Sequence, residues 1–243
     1  MRISVIVVCH NPGPRLPATL ASIWEQRWAG PELIVVDRGS TDGTREWLES
    51  QRARIAAILA SGAATLYDAL NEGIAQAQGE WVLLLSAEDR LVGDMVLSEA
   101  LNWMMKTEAG VAAGEAAYDD GRITKLRSHV NPAARNFVAR PATFYRRTLF
   151  AENGGFDPAF PTMADYEFNV RLWKNRVRFK PVPLRIAASR SEVTTGRFDG
   201  RACREEMQVR HRYFGFWRCV GWDALSLIRW AGAGMARVFL RPH

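Results

Sequence analysis

The stretch Trp81-Val82-Leu83-Leu84-Leu85-Ser86-Ala87-Glu88-Asp89-Arg90 decides the fold class. Its five consecutive apolar residues are typical of a strand buried on both faces, as in a parallel sheet. The polarity then changes within two residues to the carboxylate pair Glu88 and Asp89. Ligands of open α/β sheets bind beyond the carboxyl ends of the strands, where two carboxylates can hold a divalent cation and nucleotide phosphates. The alternative is that both acids only cap a helix or face solvent.

Strands and helices alternate on the N-terminal side of this stretch. Apolar runs predict buried strands at residues 3–8, 33–36 and 55–59. Amphipathic spacing predicts helices at residues 15–28, around Trp47 and Leu48, at 65–78 and, beyond the central stretch, at 95–105. Right-handed crossovers would make the strands parallel, so the pattern indicates a Rossmann-like, doubly wound α/β fold flanked by helices.

The pattern changes from Gly110 onward. Short strands are predicted at residues 111–118, 122–126 and 142–145, the first two forming a hairpin, and helices at 146–153 and 164–174. We therefore divide the chain into a nucleotide-binding half (1–109), a mixed acceptor-side half (110–200) and a basic helical tail (201–243).

Composition and charge indicate a folded protein with an anionic partner. The 243 residues are 48% hydrophobic and 24% charged, which suits one large domain. The net charge is +6, and the tail is rich in Arg but holds only three acids, Glu205, Glu206 and Asp223. Because no nucleic-acid recognition motif accompanies these charges, a phosphate-bearing substrate or an acidic lipid surface is favoured over nucleic acid.

Residues 217–241 interleave aromatic and apolar residues with Arg, which is typical of a helix lying in a bilayer surface. Packing of this helix on its own domain, or in a homodimer, is the alternative. The three cysteines Cys9, Cys203 and Cys219 show no metal-ligand spacing and suit a reducing compartment. No apolar run reaches the roughly 18 residues of a membrane span. We expect a cytoplasmic protein with peripheral attachment to the inner face of the cell membrane.

Three segments in order carry a resemblance to a known family. They are residues 35–44 (Val-Val-Asp-Arg-Gly-Ser-Thr-Asp-Gly-Thr), residues 66–74 (Leu-Tyr-Asp-Ala-Leu-Asn-Glu-Gly-Ile) followed by Glu88-Asp89, and residues 142–150 followed by Gly154-Gly155-Phe156-Asp157 and 164–167 (Ala-Asp-Tyr-Glu). Together they resemble the inverting family 2 glycosyltransferases of GT-A fold, in particular the subset that acts on bacterial surface polysaccharides such as colanic acid. The resemblance covers residues 2–190.

The resemblance implies transfer of a sugar from a nucleotide-sugar donor to a glycan or lipid-linked saccharide acceptor in cell-surface polysaccharide synthesis. It also implies a divalent metal, Mn²⁺ or Mg²⁺. Two positions depart from the family pattern: Glu88 stands where Asp is usual, and Arg140-Pro141 stands where relatives often carry His-Gln.

On the donor side the resemblance assigns eight residues. Asp89 is the metal ligand. The nucleotide-sugar is assigned to Cys9, His10, Asn11, Asp37, Asp68, Asn71 and Glu88. Within this set Asp37 would accept a hydrogen bond from a base N–H, and Glu88 would bind the sugar or a metal-bound water. An ordinary turn, helix caps and a solvated helix face are the alternatives for these residues.

On the acceptor side Asp165 resembles the catalytic base. Inversion in one displacement requires a carboxylate that removes a proton from the attacking hydroxyl. A place near a helix N-terminus would lower the pKa of Asp165 and keep it ionised; simple capping is the alternative. Glu167 is the fallback, although it should point elsewhere. Thr194-Thr195-Gly196-Arg197 resembles the family's flexible segment that closes over the donor.

Other classes of protein fit less well. A dinucleotide oxidoreductase needs a Gly-rich turn after the first strand, and a Ser hydrolase needs a Gly-x-Ser-x-Gly elbow; this sequence has neither. The remaining alternative is a catalytically degenerate member of the family that binds a sugar nucleotide or a partner without turnover. The presence of both Asp89 and Asp165 argues against it.

Overall fold

The computed structural model describes residues 2–27, 30–126, 131–190 and 200–239, with backbone only from residue 229. The strands are β1 (Ile3–Cys9), β2 (Glu32–Asp37), β3 (Ala57–Ala60), β4 (Trp81–Ser86), β5 (Asp89–Leu91), β6 (Val111–Tyr118), β7 (Ile123–Lys125), β8 (Thr143–Arg146) and β9 (Phe179–Ser189). The helices are α1 (Arg15–Trp24), α2 (Thr44–Ser50), α3 (Leu66–Gln76), α4 (Val96–Met105), α5 (Thr148–Asn153), α6 (Ala164–Lys174), α7 (Gly200–Phe214) and α8 (Phe216–Phe239). Within these ranges the strands form one sheet in the order β3-β2-β1-β4-β8-β6-β9-β5, with β7 beside β6.

The N-terminal half is the predicted parallel sheet. β1 pairs in parallel with β2 and β4, and β2 with β3. Alternate residues of β1 face opposite cores: Val5 packs in the cluster that includes α1 and α4, and Ile6 packs in the cluster that includes α3. Both faces are therefore apolar, as the sequence indicates.

α3 lies unusually close to the sheet. A Cβ added to Gly73 would lie 2.5 Å from Cγ2 of Ile6 and 3.2 Å from Cγ2 of Val36. Only glycine lets the helix backbone approach these two strands, so Gly73 fixes the depth at which α3 packs.

The C-terminal half is mixed, as predicted. β8 is antiparallel to β4 and β6, and the predicted hairpin of β6 and β7 is present. The sequence did not predict β9 or β5. β9 contains Pro181 and Pro183, which lack the N–H that a ladder needs, and its pairing with β6 is irregular around Glu115. The three residues of β5 pair with the far end of β9 and bring Asp89 opposite Ser189.

The two C-terminal helices differ in how they pack. α7 packs against α6, and its Val209 belongs to the same core as α3 and α6. α8 returns along α7 through a buried polar cluster around Arg210. Among the described residues, no helix is long and apolar enough to cross a membrane.

One predicted helix is shorter in the structure, and one predicted segment lies outside the described residues. α1 ends at Trp24, whereas the sequence predicts helix to residue 28, which lies outside the described ranges. The predicted closing segment at residues 194–197 also lies outside the described residues.

Candidate functional site

The carboxyl ends of the parallel strands meet at one edge of the sheet. Cys9 of β1 lies beside Asp37 of β2, and Val8 lies beside Ser86 at the end of β4. This register brings the predicted residues Cys9, Asp37 and Glu88 to the same edge, where open α/β sheets bind their ligands.

The loops that leave β1 and β2 are joined by hydrogen bonds. Nδ1 of His10 lies 2.8 Å from the carbonyl oxygen of Arg38. The Asn11 backbone N–H donates to Oγ of Ser40 at 2.9 Å, and its side-chain oxygen accepts from the Thr41 N–H at 2.7 Å. Asn11 has a positive φ of 45°, which Asn tolerates better than most residues. The His10–Asn11 turn is thus held in one shape beside the second loop.

Asp37 is buried, and its two carboxylate oxygens have contacts of different length. Its Oδ1 accepts from Oγ of Ser40 at 2.5 Å and lies 3.8 Å from Sγ of Cys9. Its Oδ2 makes one long contact, 3.4 Å from the Ser40 backbone nitrogen. Burial and the neighbouring Asp37 raise the pKa of the Cys9 thiol far above its usual value, so Cys9 is a neutral packing residue at this edge.

Asp89, the predicted metal ligand, is a buried carboxylate with several hydrogen-bond partners, and its role in metal binding stays a prediction. It is 1% exposed. Its Oδ2 accepts from the Ser86 backbone N–H at 2.7 Å and from Oγ of Ser86 at 2.8 Å, and its Oδ1 accepts from Oγ of Ser189 at 2.5 Å. Through these contacts Asp89 connects the end of β4 to β9.

Glu88 differs from Asp89 in the partners of its carboxylate oxygens. Its Oε1 lies 2.8 Å from Nη1 of Arg15 at the start of α1. Its Oε2 is buried and has no hydrogen-bond partner among the described residues. A buried carboxylate oxygen without a donor is a place where a metal or a polar ligand group would be stabilised. Within the described ranges no group of three or more His, Cys, Asp or Glu residues could hold a metal ion.

Arg140 is a buried cation that sequence reasoning noted only as a departure from the family. It is 3% exposed. Its Nη1 donates to the Leu84 carbonyl oxygen at 3.2 Å, and its Nη2 lies 3.4 Å from Oδ2 of Asp89. Burial opposes the charge, but Asp89, Tyr67 and Asp165 outweigh it and raise the pKa of Arg140. A permanent positive charge therefore lies between the end of β4 and the predicted base.

Asp165 lies in the first turn of α6, as predicted, but its pKa is shifted in the opposite direction. Nδ2 of Asn136 donates to its Oδ2 at 2.9 Å, and the Tyr166 N–H donates to its Oδ1 at 2.8 Å. Burial raises the pKa of Asp165 above its usual value, and Tyr67, Arg140 and the other donors oppose this without cancelling it. The helix N-terminus is outweighed because the surrounding protein excludes water from the carboxylate.

Glu167 points away from Asp165, as the sequence indicates. It is buried, donor groups of Arg171 and Tyr213 engage its two oxygens, and the Arg171 contact is 2.7 Å. Glu167 is therefore part of the contact between α6 and α7.

Asp68 and Asn71 have local structural partners. Asp68 forms a capping box with Thr65 at the start of α3. Its Oδ2 accepts from the backbone N–H and from the hydroxyl of Thr65. Asn71 donates to the Phe156 carbonyl and accepts from the Phe156 N–H, both at 2.9 Å. Both ends of its amide are engaged, so Asn71 holds the loop around Gly155 and Phe156, and its contact with a nucleotide stays a prediction.

Sequence reasoning missed the partners that hold the two acids. Asn136 and Tyr67 contact Asp165, and Ser189 contacts Asp89 across 100 residues. Of these three partners, only Tyr67 lies in a segment that carries the family resemblance, where it precedes Asp68.

The sheet order and the acidic edge define a GT-A glycosyltransferase fold. Two solved structures show the same fold over most of this chain. The mannosyltransferase PcManGT from Pyrobaculum calidifontis, in complex with GDP-Man and Mn²⁺, matches with a TM-score of 0.69 and 19% identity over 100% of this chain and 76% of its own. S. aureus TarS 1-349 in complex with UDP matches with a TM-score of 0.67 and 19% identity over 90% of this chain and 73% of its own.

The family follows from the sequence comparisons. The model of glycosyl transferase family 2 matches residues 4–171, and the chain belongs to this family. A PGL/p-HBAD biosynthesis glycosyltransferase of Mycobacterium bovis is 29% identical over 187 residues, 71% of this chain and 70% of that protein. An uncharacterized glycosyltransferase of Mycobacterium tuberculosis is 30% identical over 202 residues, 79% of this chain and 75% of that protein. The protein is therefore a glycosyltransferase of family 2, while its nucleotide-sugar donor and its place in the surface-polysaccharide subset stay predictions.

Proposed function

We propose that this protein is an inverting, metal-assisted glycosyltransferase that transfers one sugar to a glycan or lipid-linked saccharide, with Asp165 as the base. The observation that carries the proposal is the environment of Asp165. Its carboxylate is oriented by Asn136 and Tyr166, and burial raises its pKa toward the range where a general base is most effective.

The donor would lie along the edge formed by β1, β2 and β4. Oδ2 of Asp37 is placed to accept a hydrogen bond from a base N–H, and the loop that carries His10 and Asn11 lies beside it. Arg15, at the start of α1, supplies a positive charge next to Glu88. These groups would hold the nucleotide and its diphosphate, leaving the sugar toward Asp165.

A divalent ion, Mn²⁺ or Mg²⁺, fits this edge through Oε2 of Glu88 rather than through Asp89. When bound, such an ion neutralises charge that develops on a diphosphate leaving group. The presence of Mn²⁺ with GDP-Man in the mannosyltransferase of the same fold supports this part of the proposal.

The acceptor proposal rests on α8. Unlike most helices that pack on a core, α8 turns polar side chains inward and large apolar side chains outward. Asp223 and Ser226 face inward, whereas Trp217 is 88% and Ile228 is 66% exposed. An exposed apolar stripe beside Arg218 suits the surface of an anionic membrane, where a lipid-linked acceptor would be found. Role in surface polysaccharide synthesis is the corresponding biological proposal.

Vesicle sedimentation tests the membrane contact. The wild type should sediment with vesicles that contain phosphatidylglycerol and not with pure phosphatidylcholine, and Trp217→Glu should abolish the effect. Wild-type protein that ignores both vesicles but elutes as a dimer, with Trp217→Glu monomeric, would assign α8 to a homodimer interface.

Turnover of nucleotide-sugar tests the transferase proposal. The wild type should release UDP or GDP from UDP-glucose, UDP-N-acetylglucosamine or GDP-mannose in the presence of a bacterial lipid extract. Asp165→Asn should lower this rate by roughly 10²–10⁴-fold, the usual contribution of general base catalysis. Nucleotide binding without release in the wild type would support the catalytically degenerate alternative.

A further inference from the structure

The helix that carries Asp165 lacks a cap of its own. The N-cap residue of α6 is Met163, whose side chain makes no capping hydrogen bond. Helix N-termini leave several backbone N–H groups without partners, and burying them unpaired is unfavourable. Another part of the chain must therefore satisfy them.

Glu205 of α7 pairs with the N–H of the N-cap residue and with the N–H just before it, from more than 40 residues away. Its Oε2 accepts from the backbone N–H groups of Thr162 and Met163, both at 2.9 Å. The residue is 5% exposed. A carboxylate at this end of a helix is also favoured by the helix dipole. The turn is held from the opposite side by Tyr67, whose hydroxyl lies 3.4 Å from the Thr162 carbonyl oxygen.

The same helix also supports the partner of Asp165. Arg210 of α7 has a fully buried side chain, lies 2.7 Å from Asp223 of α8 and lies 3.4 Å from the Ala134 carbonyl oxygen. Two residues beyond Ala134, Asn136 donates to Asp165. Both the turn before Asp165 and the loop that orients its carboxylate are thus in contact with α7.

We propose that Glu205 is a positioning residue for Asp165: its carboxylate fixes the turn that leads into α6 and, through it, the direction of the base. The proposal rests on the proposed role of Asp165. On this proposal α7 contributes to the active site by positioning Asp165. Misplacing a reacting group by about 1 Å can cost roughly 10²-fold in rate, so loss of this cap should appear in catalysis as well as in stability.

Hydrogen exchange tests the positioning without any substrate. In Glu205→Ala, the amides of residues 162–166 should exchange at least about fivefold faster, as expected for a lost helix cap. Glu205→Gln keeps one acceptor oxygen and should restore most of the protection. Gln208→Ala, an exposed position on the same helix, is the matched control and should leave these amides unchanged.

Kinetics tests the consequence for catalysis. Glu205→Ala should lower kcat for nucleotide release by at least about tenfold, with the Kd for UDP or GDP unchanged within twofold, and Glu205→Gln should recover most of the rate. Unchanged exchange at residues 162–166, or unchanged kcat despite faster exchange, would overturn the proposal. Should the wild type bind no nucleotide, the proposed function fails, and the exchange result still decides whether Glu205 holds the turn.

Discussion

Replacing Arg140 by Met removes a cation buried against Asp89 and should destabilise the protein markedly. Met occupies similar space but cannot neutralise the carboxylate, which is 1% exposed. Removing one partner of a buried ion pair usually costs about 3–5 kcal/mol. The Nη2–Oδ2 distance is a long 3.4 Å, and Asp89 keeps its contacts with Ser86 and Ser189. We therefore expect the low end, about 3 kcal/mol.

For a chain of this size that loss corresponds to a fall in Tm of about 6–12 °C. Urea denaturation monitored by tryptophan fluorescence would give the free energy directly. A double-mutant cycle with Asp89→Asn isolates the pair. In the Asp89→Asn background, where the side chain is neutral, the loss of unfolding free energy caused by Arg140→Met should be smaller by at least about 1 kcal/mol.

Arg178→Met is the matched control, since Arg178 pairs with Glu108 while both side chains are largely exposed. Such surface pairs contribute little, so the control should change Tm very little. If Arg140→Met is no more destabilising than Arg178→Met, or if the cycle with Asp89→Asn is additive, then Arg140 does not neutralise Asp89 and the description of this edge is wrong.

Three further substitutions test other parts of the site. Because the pKa of Asp165 is raised in the folded state, the native protein binds more protons between the ordinary pKa of an Asp and the raised pKa, and stability falls as pH rises through this window. Asp165→Asn should accordingly be at least as stable as wild type at pH 7 by thermal unfolding, and a clear loss of stability there would contradict the raised pKa. Glu88→Gln should weaken Mn²⁺-dependent nucleotide binding by about tenfold or more in calorimetry, whereas equal affinities would remove Glu88 from the cation site. Asn71→Ala leaves two backbone groups of Phe156 without partners and should lower the free energy of unfolding by about 1–3 kcal/mol in urea, with no change meaning that the loop is held elsewhere.

Much of the fold was predictable because its signal is local. The strands β1, β2 and β4 are continuous apolar runs, and α3 and α6 show regular amphipathic spacing. β9 was not predictable in this way. Its prolines and charged residues are not typical of a strand. The strand forms because β9 pairs with β6 on one side and with β5 on the other.

The site was predictable in its residues more than in their roles. The sequence directs attention to Glu88, Asp89 and Asp165, since each follows or begins an element near one edge. Their roles depend on distant partners. Arg140 and Ser189 contact the two carboxylate oxygens of Asp89. By contrast, Oε2 of Glu88 has no hydrogen-bond partner among the described residues. No local pattern encodes those contacts.

The direction of the Asp165 pKa shift shows the same limit. Position in the first turn of a helix argues for a lowered pKa. Burial under neighbouring elements reverses it, and burial at this point depends on tertiary packing around Tyr67 and Asn136. A sequence can place an acid on a helix more readily than it can reveal how much water reaches that acid.

Calorimetric titration of UDP, GDP and dTDP, each with and without Mn²⁺, into wild type and Glu88→Gln tests the central claim most directly. The account predicts that one of these nucleotides binds the wild type, that Mn²⁺ strengthens its binding, and that Glu88→Gln removes the metal effect while the fold stays intact. If no nucleotide binds the wild type under either condition, the edge formed by β1, β2 and β4 is not a donor site and the proposed transferase mechanism is contradicted.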